Sequence, residues 1–110
     1  MTSAALLGID VGTSSIKSLV LSSDGRVLGV AAQETPVSTP RPGWAEQSPD
    51  GWVDAALVTA RRAVAAAGVD ASAIRAIGLA GQMHGTVCVG LSGAPLRPAV
   101  IWADQRSSQQ

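Results

Sequence analysis

The chain has 110 residues, of which 46% are hydrophobic, and its mean hydropathy is +0.26. These values fit one small globular domain with a buried core and exclude a disordered chain. Eight basic and eight acidic residues cancel, so the charge balance favours neither a nucleic acid nor an anionic membrane as partner, and small molecules and proteins remain.

Cysteine content and hydropathy bear on the compartment. Cys88 is the single cysteine, which fits a reducing compartment, and we interpret it as a buried strand residue. The N-terminus lacks a basic leader, and no stretch of sequence approaches the roughly 20 apolar residues of a membrane span. The sequence therefore predicts a cytoplasmic protein.

The first apolar run, residues 6–11, contains one carboxylate, Asp10, between Ile9 and Val11. A strand at this position is expected to be half or fully buried, and an unpaired buried charge is costly. Asp10 is therefore expected to hold a metal, to pair with a cation or to hydrogen-bond into a turn.

A small, hydroxyl-rich turn follows this acid. Gly12 permits a tight backbone, Thr13, Ser14 and Ser15 offer hydroxyl and N–H groups, and Lys17 adds a cation. These residues can cradle phosphate beside magnesium. No Walker loop pattern is present, and ordinary turn chemistry, with the acid capping a β-turn, is the alternative.

Apolar runs separated by turn residues predict a three-stranded antiparallel meander over about residues 5–34. Residues 35–44 contain three prolines and a glycine, which predicts an extended loop. Trp44 is expected to anchor this loop to the body of the protein, with a ligand contact as the alternative.

The strongest helix signal begins at Ser48, which can cap the helix, followed by Pro49 at the first helical position. Gly68 supplies a stop signal. Apolar residues recur at helical spacing and predict the buried stripe, which comprises Val53, Leu57, Ala60, Val64 and Ala67. The abundance of alanine favours close packing on a sheet.

Residues 74–80 read as a buried strand that ends in a loop bracketed by Gly81 and Gly85. The glycines let this loop bend sharply and present Gln82, Met83 and His84 at a strand end, where open α/β sheets place ligands. Taken alone, His84 is most simply interpreted as a structural or surface histidine, and Met83 as a core residue.

Two further strands are predicted, over residues 86–91 and 98–102. Asp104 and Arg106 follow the second. They can form an ion pair, cap a helix or contact a substrate, and the ion pair or cap is the default interpretation.

The order of these motifs resembles the N-terminal part of the FGGY carbohydrate kinases, most closely the xylulokinase group. The resemblance rests on residues 8–17, on Trp-Ala-Glu-Gln at 44–47, on Gly-Gln-Met-His-Gly at 81–85 and on residues 98–106. The Met83-His84 pair is the sharpest sign, because the glycerol kinases of the family carry an Arg-Glu pair there. The first motif is shared with the wider sugar-kinase, Hsp70 and actin superfamily.

The resemblance implies an α/β fold of the actin-like ATPase and ribonuclease-H-like type, with a mixed sheet that starts with an antiparallel meander. It implies that residues 1–110 are the N-terminal part of the first domain of such a kinase. The second, ATP-binding domain would lie outside this chain.

The resemblance also implies site roles. Asp10 would help to position Mg²⁺, and the residues beside the terminal phosphates of ATP would be Gly12, Thr13, Ser14 and Lys17. The residues at the ketose would be Met83, His84, Trp102 and Asp104. The reaction implied is transfer of the γ-phosphoryl group of ATP to the 5-hydroxyl of D-xylulose, which depends mainly on positioning and charge stabilisation.

No catalytic residue is assigned within the chain, because the family's aspartate base is expected beyond Gln110. The chain alone is therefore predicted to be inactive. The alternatives are another FGGY kinase for a ketose or polyol, and a non-catalytic sugar- or phosphate-binding module. A homodimer of the full-length protein is a further possible assembly, and the open sheet face suggests self-association of the chain alone.

Overall fold

The computed structural model describes residues 3–108, which form a four-stranded sheet covered on one face by a helix. The elements are β1 (Ala5–Val11), β2 (Ser15–Ser22), β3 (Val27–Glu34), β4 (Glu46–Gln47), α1 (Pro49–Ala67), β5 (Ile74–Gly81) and β6 (Ala99–Val100). The strand order is β3-β2-β1-β5. The antiparallel meander is confirmed, and the parallel pairing of β5 with β1 makes the sheet mixed.

Helix α1 begins and ends where the capping residues predict. The Ser48 hydroxyl accepts a hydrogen bond from the Gly51 N–H at 3.1 Å, and Pro49 occupies the first turn. Gly68 adopts a left-handed conformation at φ 69° and ends the helix. Both termini are therefore fixed by local chemistry.

The core lies between α1 and the sheet and is built from small and branched aliphatic side chains. Its buried members are Ala5, Leu7, Val20, Ala31 and Ala63. At Gly29 of β3, a Cβ atom would lie only 2.4 Å from the carbonyl oxygen of Ala63. The helix backbone therefore rests directly on the strand, and only glycine fits at this contact.

This close approach corrects the predicted helix stripe. Val53 and Leu57 are exposed, whereas Ala55, Thr59 and Ala63 are buried. A helix in backbone contact with a strand needs small residues on the contact face, so the larger side chains lie outside. Ala60, Val64 and Ala67 are partly buried, as predicted.

The second half of the sequence is more exposed than predicted. Strand β5 forms at the predicted place, but it is an edge strand, and its Ile77 and Leu79 are 59% and 76% exposed. Residues 86–91 make only isolated bridges instead of a strand, and Cys88 there is exposed instead of buried. Helix α1 covers β2 and β3 much more than β1, so β5 is exposed except at Ile74, which packs against the core.

The predicted last strand is present but short, since β6 contains two residues and pairs with β4. This small ladder holds the loop before α1 against the segment after residue 98. Within residues 3–108, no helix combines the length and the apolar character needed to cross a membrane.

Candidate functional site

The turn between β1 and β2 is closely built. A Cβ atom at Gly12 would lie 2.8 Å from the carbonyl oxygen of Ser15, so the turn requires glycine there. The Ser14 carbonyl accepts a hydrogen bond from the Thr35 N–H at 2.9 Å, and the Thr35 hydroxyl donates to the Thr13 carbonyl at 3.0 Å. The hydroxyl-rich turn is therefore anchored to the end of β3.

Asp10 lies on the face of the sheet opposite α1. Its side chain is exposed, which corrects the prediction of a buried carboxylate, because α1 covers only the face that carries Ile9 and Val11. Lys17 is the direct cross-strand neighbour of Asp10 and therefore shares its face. Both line an open cavity of about 370 Å³ on the uncovered face.

Gln47 is the centre of a buried network of neutral hydrogen bonds. It is only 3% exposed. Its Nε2 donates to the Thr13 carbonyl at 2.6 Å and lies 3.5 Å from the Thr35 carbonyl. Its Oε1 accepts from Trp52 Nε1 at 3.0 Å and from Gln82 Nε2 at 2.9 Å. The network therefore joins the β1–β2 turn, the start of α1 and the loop after β5.

The loop after β5 reaches the same turn because β5 runs parallel to β1. The C-terminal ends of the two strands therefore lie side by side. The Gln82 N–H donates to the Val11 carbonyl at 3.0 Å, and Gln82 Oε1 accepts from the Thr13 hydroxyl at 3.2 Å. Met83 is 71% exposed, and the exposed His84 adopts a φ of 64°. Both residues therefore lie exposed after Gln82, directly beyond the end of β5.

Trp102 completes this group of residues. Its Nε1 donates to the Thr13 hydroxyl at 2.7 Å, while 56% of the residue is exposed. Thr13 therefore accepts from Trp102 and donates to Gln82. The structure brings three separate predicted stretches together at one threonine.

Asp104 belongs to a different cluster. Its carboxylate, with 4% of the side chain exposed, accepts the Ala45 N–H at 2.7 Å and pairs with the Arg106 guanidinium at 2.7–2.9 Å. Hydrogen bonds from Arg106, with a further contribution from the Ala45 N–H, hold the pKa of Asp104 well below its ordinary value. Of the roles that the sequence left open, the ion pair is confirmed.

The same ionic cluster includes Glu46, which accepts hydrogen bonds from both Arg97 and Arg106. The Arg106 guanidinium also stacks on the Trp44 ring, 3.8 Å from its centroid, and Arg41 lies on this ring at 5.0 Å. Trp44 is half-buried, so the prediction that it anchors the proline-rich loop is confirmed.

Sequence reasoning missed the role of Gln47 and its partners Thr35 and Trp52. The sequence signal for Gln47 was weak. Its place between Trp-Ala-Glu and the helix cap Ser48 shows where it lies along the chain but not which residues it contacts. These residues also line a cavity of about 420 Å³ between the end of β3, the proline-rich segment and the start of α1. None of the predicted site residues lines that cavity.

The donor set can be tested for a divalent cation. Among residues 3–108, no group of three or more His, Cys, Asp or Glu side chains is arranged to hold a metal ion. A single exposed carboxylate such as Asp10 still fits Mg²⁺, which commonly keeps several waters and takes one or two carboxylates together with phosphate oxygens. The residues present therefore fit Mg²⁺ only together with waters and oxygen ligands from a bound molecule.

Comparison with known proteins identifies the family. Residues 5–110 match the family described as "FGGY family of carbohydrate kinases, N-terminal domain". The chain belongs to the FGGY family of carbohydrate kinases. Its mixed α/β architecture is accordingly that of the actin-like ATPase fold.

Relatives of two kinds are about equally similar to this FGGY chain. A glycerol kinase from Verminephrobacter eiseniae is 43% identical over 103 residues, which are 93% of this chain and 20% of the relative. A xylulose kinase from Escherichia coli K12 is 39% identical over 106 residues, 94% of this chain and 21% of the relative.

A solved structure named xyloylose kinase, from Brucella ovis, superposes with a TM-score of 0.90 at 40% identity, covering 96% of this chain and 22% of that one. The chain thus spans about a fifth of the length of the relatives that it matches.

Proposed function

We propose that this chain is the N-terminal part of the first domain of an ATP-dependent sugar kinase that phosphorylates D-xylulose at its 5-hydroxyl. The observation that carries the proposal is the convergence of the Gly12–Ser14 turn, the Gln82–His84 loop and Trp102 at Thr13. A phosphate cradle and a sugar-facing loop in contact meet the positioning requirement of phosphoryl transfer.

In this proposal, the β1–β2 turn and the uncovered sheet face form the nucleotide side. Asp10 would hold Mg²⁺ together with phosphate oxygens, and Lys17 would offset phosphate charge. The Thr13 hydroxyl already has two partners, so we assign the backbone N–H groups of Thr13 and Ser14 to the phosphates. When bound, Mg²⁺ neutralises charge on the transferring group.

The sugar side consists of Met83, His84 and Trp102. Their exposure at the strand end leaves their side chains accessible to a small ligand. Asp104 is directed to Ala45 and Arg106, so we assign it an indirect role, which is to fix the turn that carries Trp102. His84 is assigned to binding and not to proton transfer.

A kinase for glycerol or another polyol is the second candidate, favoured by the 43% identity to a glycerol kinase. Met83 and His84 support the ketose, because the resemblance places an Arg-Glu pair at these positions in glycerol kinases. A non-catalytic sugar- or phosphate-binding module is the third candidate.

The proposal also includes a compartment and an assembly. The lone cysteine fits a reducing compartment and so supports a cytoplasmic reaction. The whole protein is proposed to form a homodimer.

A substrate panel on the enzyme at its full natural length tests the proposal. We expect kcat/KM for D-xylulose to exceed that for glycerol by roughly tenfold or more, a typical discrimination for a shaped pocket. The double variant Met83→Arg, His84→Glu should lose most of this preference. A preference for glycerol in the unchanged enzyme would establish the second candidate instead.

The 110-residue chain supplies a second test. We expect no turnover of ATP with D-xylulose, because the base is assigned to a segment outside it. Binding without turnover would favour the third candidate, and no binding would favour the first. Isothermal titration with each ligand and a coupled ADP assay measure the two properties. Turnover by this chain would overturn the assignment of the base.

A further inference from the structure

We propose that Gln47 is a positioning residue that couples the sugar side of the site to its nucleotide side. The inference rests on the proposed function for the identity of the two ligands. One side-chain amide donates to the Thr13 carbonyl at 2.6 Å and accepts from Gln82 Nε2 at 2.9 Å. The first contact holds the phosphate turn, and the second holds the sugar-facing loop.

The orientation of this amide is determined by its partners. Oε1 faces two donors, Trp52 Nε1 and Gln82 Nε2, whereas Nε2 faces the carbonyl of Thr13. A flipped amide would place donor against donor and acceptor against acceptor. Because Gln47 is 3% exposed, water cannot easily replace a lost partner, and the arrangement is fixed.

The contacts also form a closed ring. Gln47 is bonded to Thr13 and to Gln82, and the Thr13 hydroxyl is bonded to Gln82 at 3.2 Å. Trp102 joins this ring through Thr13. In such a ring, a displacement of one member changes the geometry of the other two. Ligand binding at Trp102 is therefore transmitted to the phosphate turn.

The backbone of Gln47 is held in place independently of the ring. It pairs with Ala99 in the β4–β6 ladder, and its neighbour Glu46 is bonded to two arginines. The amide thus extends from a fixed support toward two loops. This is the arrangement expected of a residue that positions others.

Three variants of the 110-residue chain separate positioning from general stability. Gln47→Met removes all contacts of the amide at similar length. Gln47→Glu keeps the acceptor for Trp52 and Gln82 but places an acceptor against the Thr13 carbonyl. Gln33→Glu introduces the same change at an exposed glutamine and is the matched control.

NMR spectra of the ligand-free chain are the first measurement. We expect Gln47→Met to shift the backbone amides of residues 12–14 and 81–85 together with the Trp102 indole signal. Gln47→Glu should shift residues 12–14 and Trp102 but leave the Trp52 indole near its original position. The amides of the C-terminal part of α1, residues 59–67, are remote from Gln47, should stay unchanged and serve as internal references.

Ligand titration is the second measurement. In the enzyme at its full natural length, where the proposal places the second, ATP-binding domain, we expect D-xylulose to strengthen binding of Mg-ATP. We expect Gln47→Met to reduce this effect by about fivefold or more, the lower range of common couplings between sites. Thr13→Val removes the links of the Thr13 hydroxyl to both Trp102 and Gln82 and should also reduce the effect. Gln47→Glu serves as the test of Gln47 if Gln47→Met does not fold.

Three outcomes test the positioning role of Gln47 and distinguish it from the proposed function. Shifts confined to one of the two loops, or spread evenly over α1, would overturn the positioning role. Binding of both ligands without any coupling would overturn it as well. If the full-length enzyme binds neither ligand, the proposed function is overturned, whereas the ligand-free spectra still decide whether Gln47 links the two loops.

Discussion

Glu46 and Gln47 are neighbours in β4, both nearly buried, and yet they belong to opposite kinds of polar cluster. Glu46 is 6% exposed and is paired with two arginines, whereas Gln47 is 3% exposed and is surrounded by an amide, an indole and two backbone carbonyls. Successive strand residues point to opposite sides, so two residues of β4 supply both clusters.

The difference indicates a division of labour. The ionic cluster fixes backbone segments to one another, because it joins the loop before α1 to the segment after β6. The neutral network orders the residues of the candidate site and adds no charge to it. For a site proposed to accept phosphate, a buried carboxylate at position 47 would repel the ligand, whereas an amide would not.

The largest expected effect is on the ionic side of this comparison. Glu46→Gln removes the negative charge that Arg97 and Arg106 share and leaves one neutral acceptor oxygen, so the partly buried Arg106 loses part of its compensation. We expect the free energy of unfolding to fall by about 2 kcal/mol, below the range for fully buried pairs because Arg97 is 44% exposed.

Urea unfolding measures this loss, with the exposed Glu34→Gln as the control. A change within about 0.5 kcal/mol, the usual range for surface substitutions, would contradict a stabilising role for the ionic cluster.

The second expected effect is a difference between the two clusters in how their contribution to the free energy of unfolding depends on pH. The pKa of Asp104 is lowered in the folded state by Arg106, so its contribution to stability is complete above the unfolded pKa of about 3.9 and is lost as pH falls through the folded value. The stability gap between the unchanged chain and Asp104→Asn should therefore narrow below about pH 4. The gap for Gln47→Met should stay nearly constant.

Thermal unfolding from pH 7 to pH 3 tests this expectation, with the exposed Asp54→Asn as control. A gap for Asp104→Asn that is independent of pH would mean that the ion pair does not stabilise the fold.

A buried neutral hydrogen bond remote from the site shows how much unfolding free energy the loss of one such bond costs. The cost of breaking the Gln47 network can be compared with this value. Ser18 and Thr59 are fully buried and their hydroxyls lie 2.8 Å apart between β2 and α1. Thr59→Val leaves the Ser18 hydroxyl unpaired and should cost about 1–2 kcal/mol in urea unfolding. Adding Ser18→Ala should recover part of the loss, and a larger loss in the double variant would contradict the explanation.

The smallest effect is expected at Arg97, which distinguishes the two arginines of the ionic cluster. Its side chain is 44% exposed, against 20% for Arg106. Arg97→Met keeps the apolar stem and should cost about 0.5 kcal/mol, as exposed ion pairs do. An equal loss of unfolding free energy for Arg97→Met and Arg106→Met would show that exposure does not rank these pairs.

Local signals made much of the fold predictable. The meander follows from apolar runs separated by turn residues, and the bounds of α1 follow from Ser48, Pro49 and Gly68. The stripe containing Val53 and Leu57 was wrong because spacing identifies a helix but not how closely it packs. That distance is set at Gly29, where the strand backbone meets the helix backbone.

The sequence singled out Gln82 and Trp102, which meet Thr13 in the candidate site, but it did not predict these contacts or the part played by Gln47. Asp10, Thr13, Met83 and Trp102 were singled out from residue types and resemblance. That Gln47 touches Thr13, 34 residues earlier, depends on how the sheet and loops assemble. The exposure of Cys88 has the same origin, because the segment around it forms bridges without a continuous strand.

The contacts of Thr13 also have a kinetic consequence. Its hydroxyl meets Gln82 and Trp102, which lie 69 and 89 residues further along the chain, whereas the meander and α1 depend on local contacts. Closing long loops costs more chain entropy than closing short ones, and distant contacts slow folding. The meander and α1 should therefore form early in refolding, with the site closing last and reopening most readily in the native state.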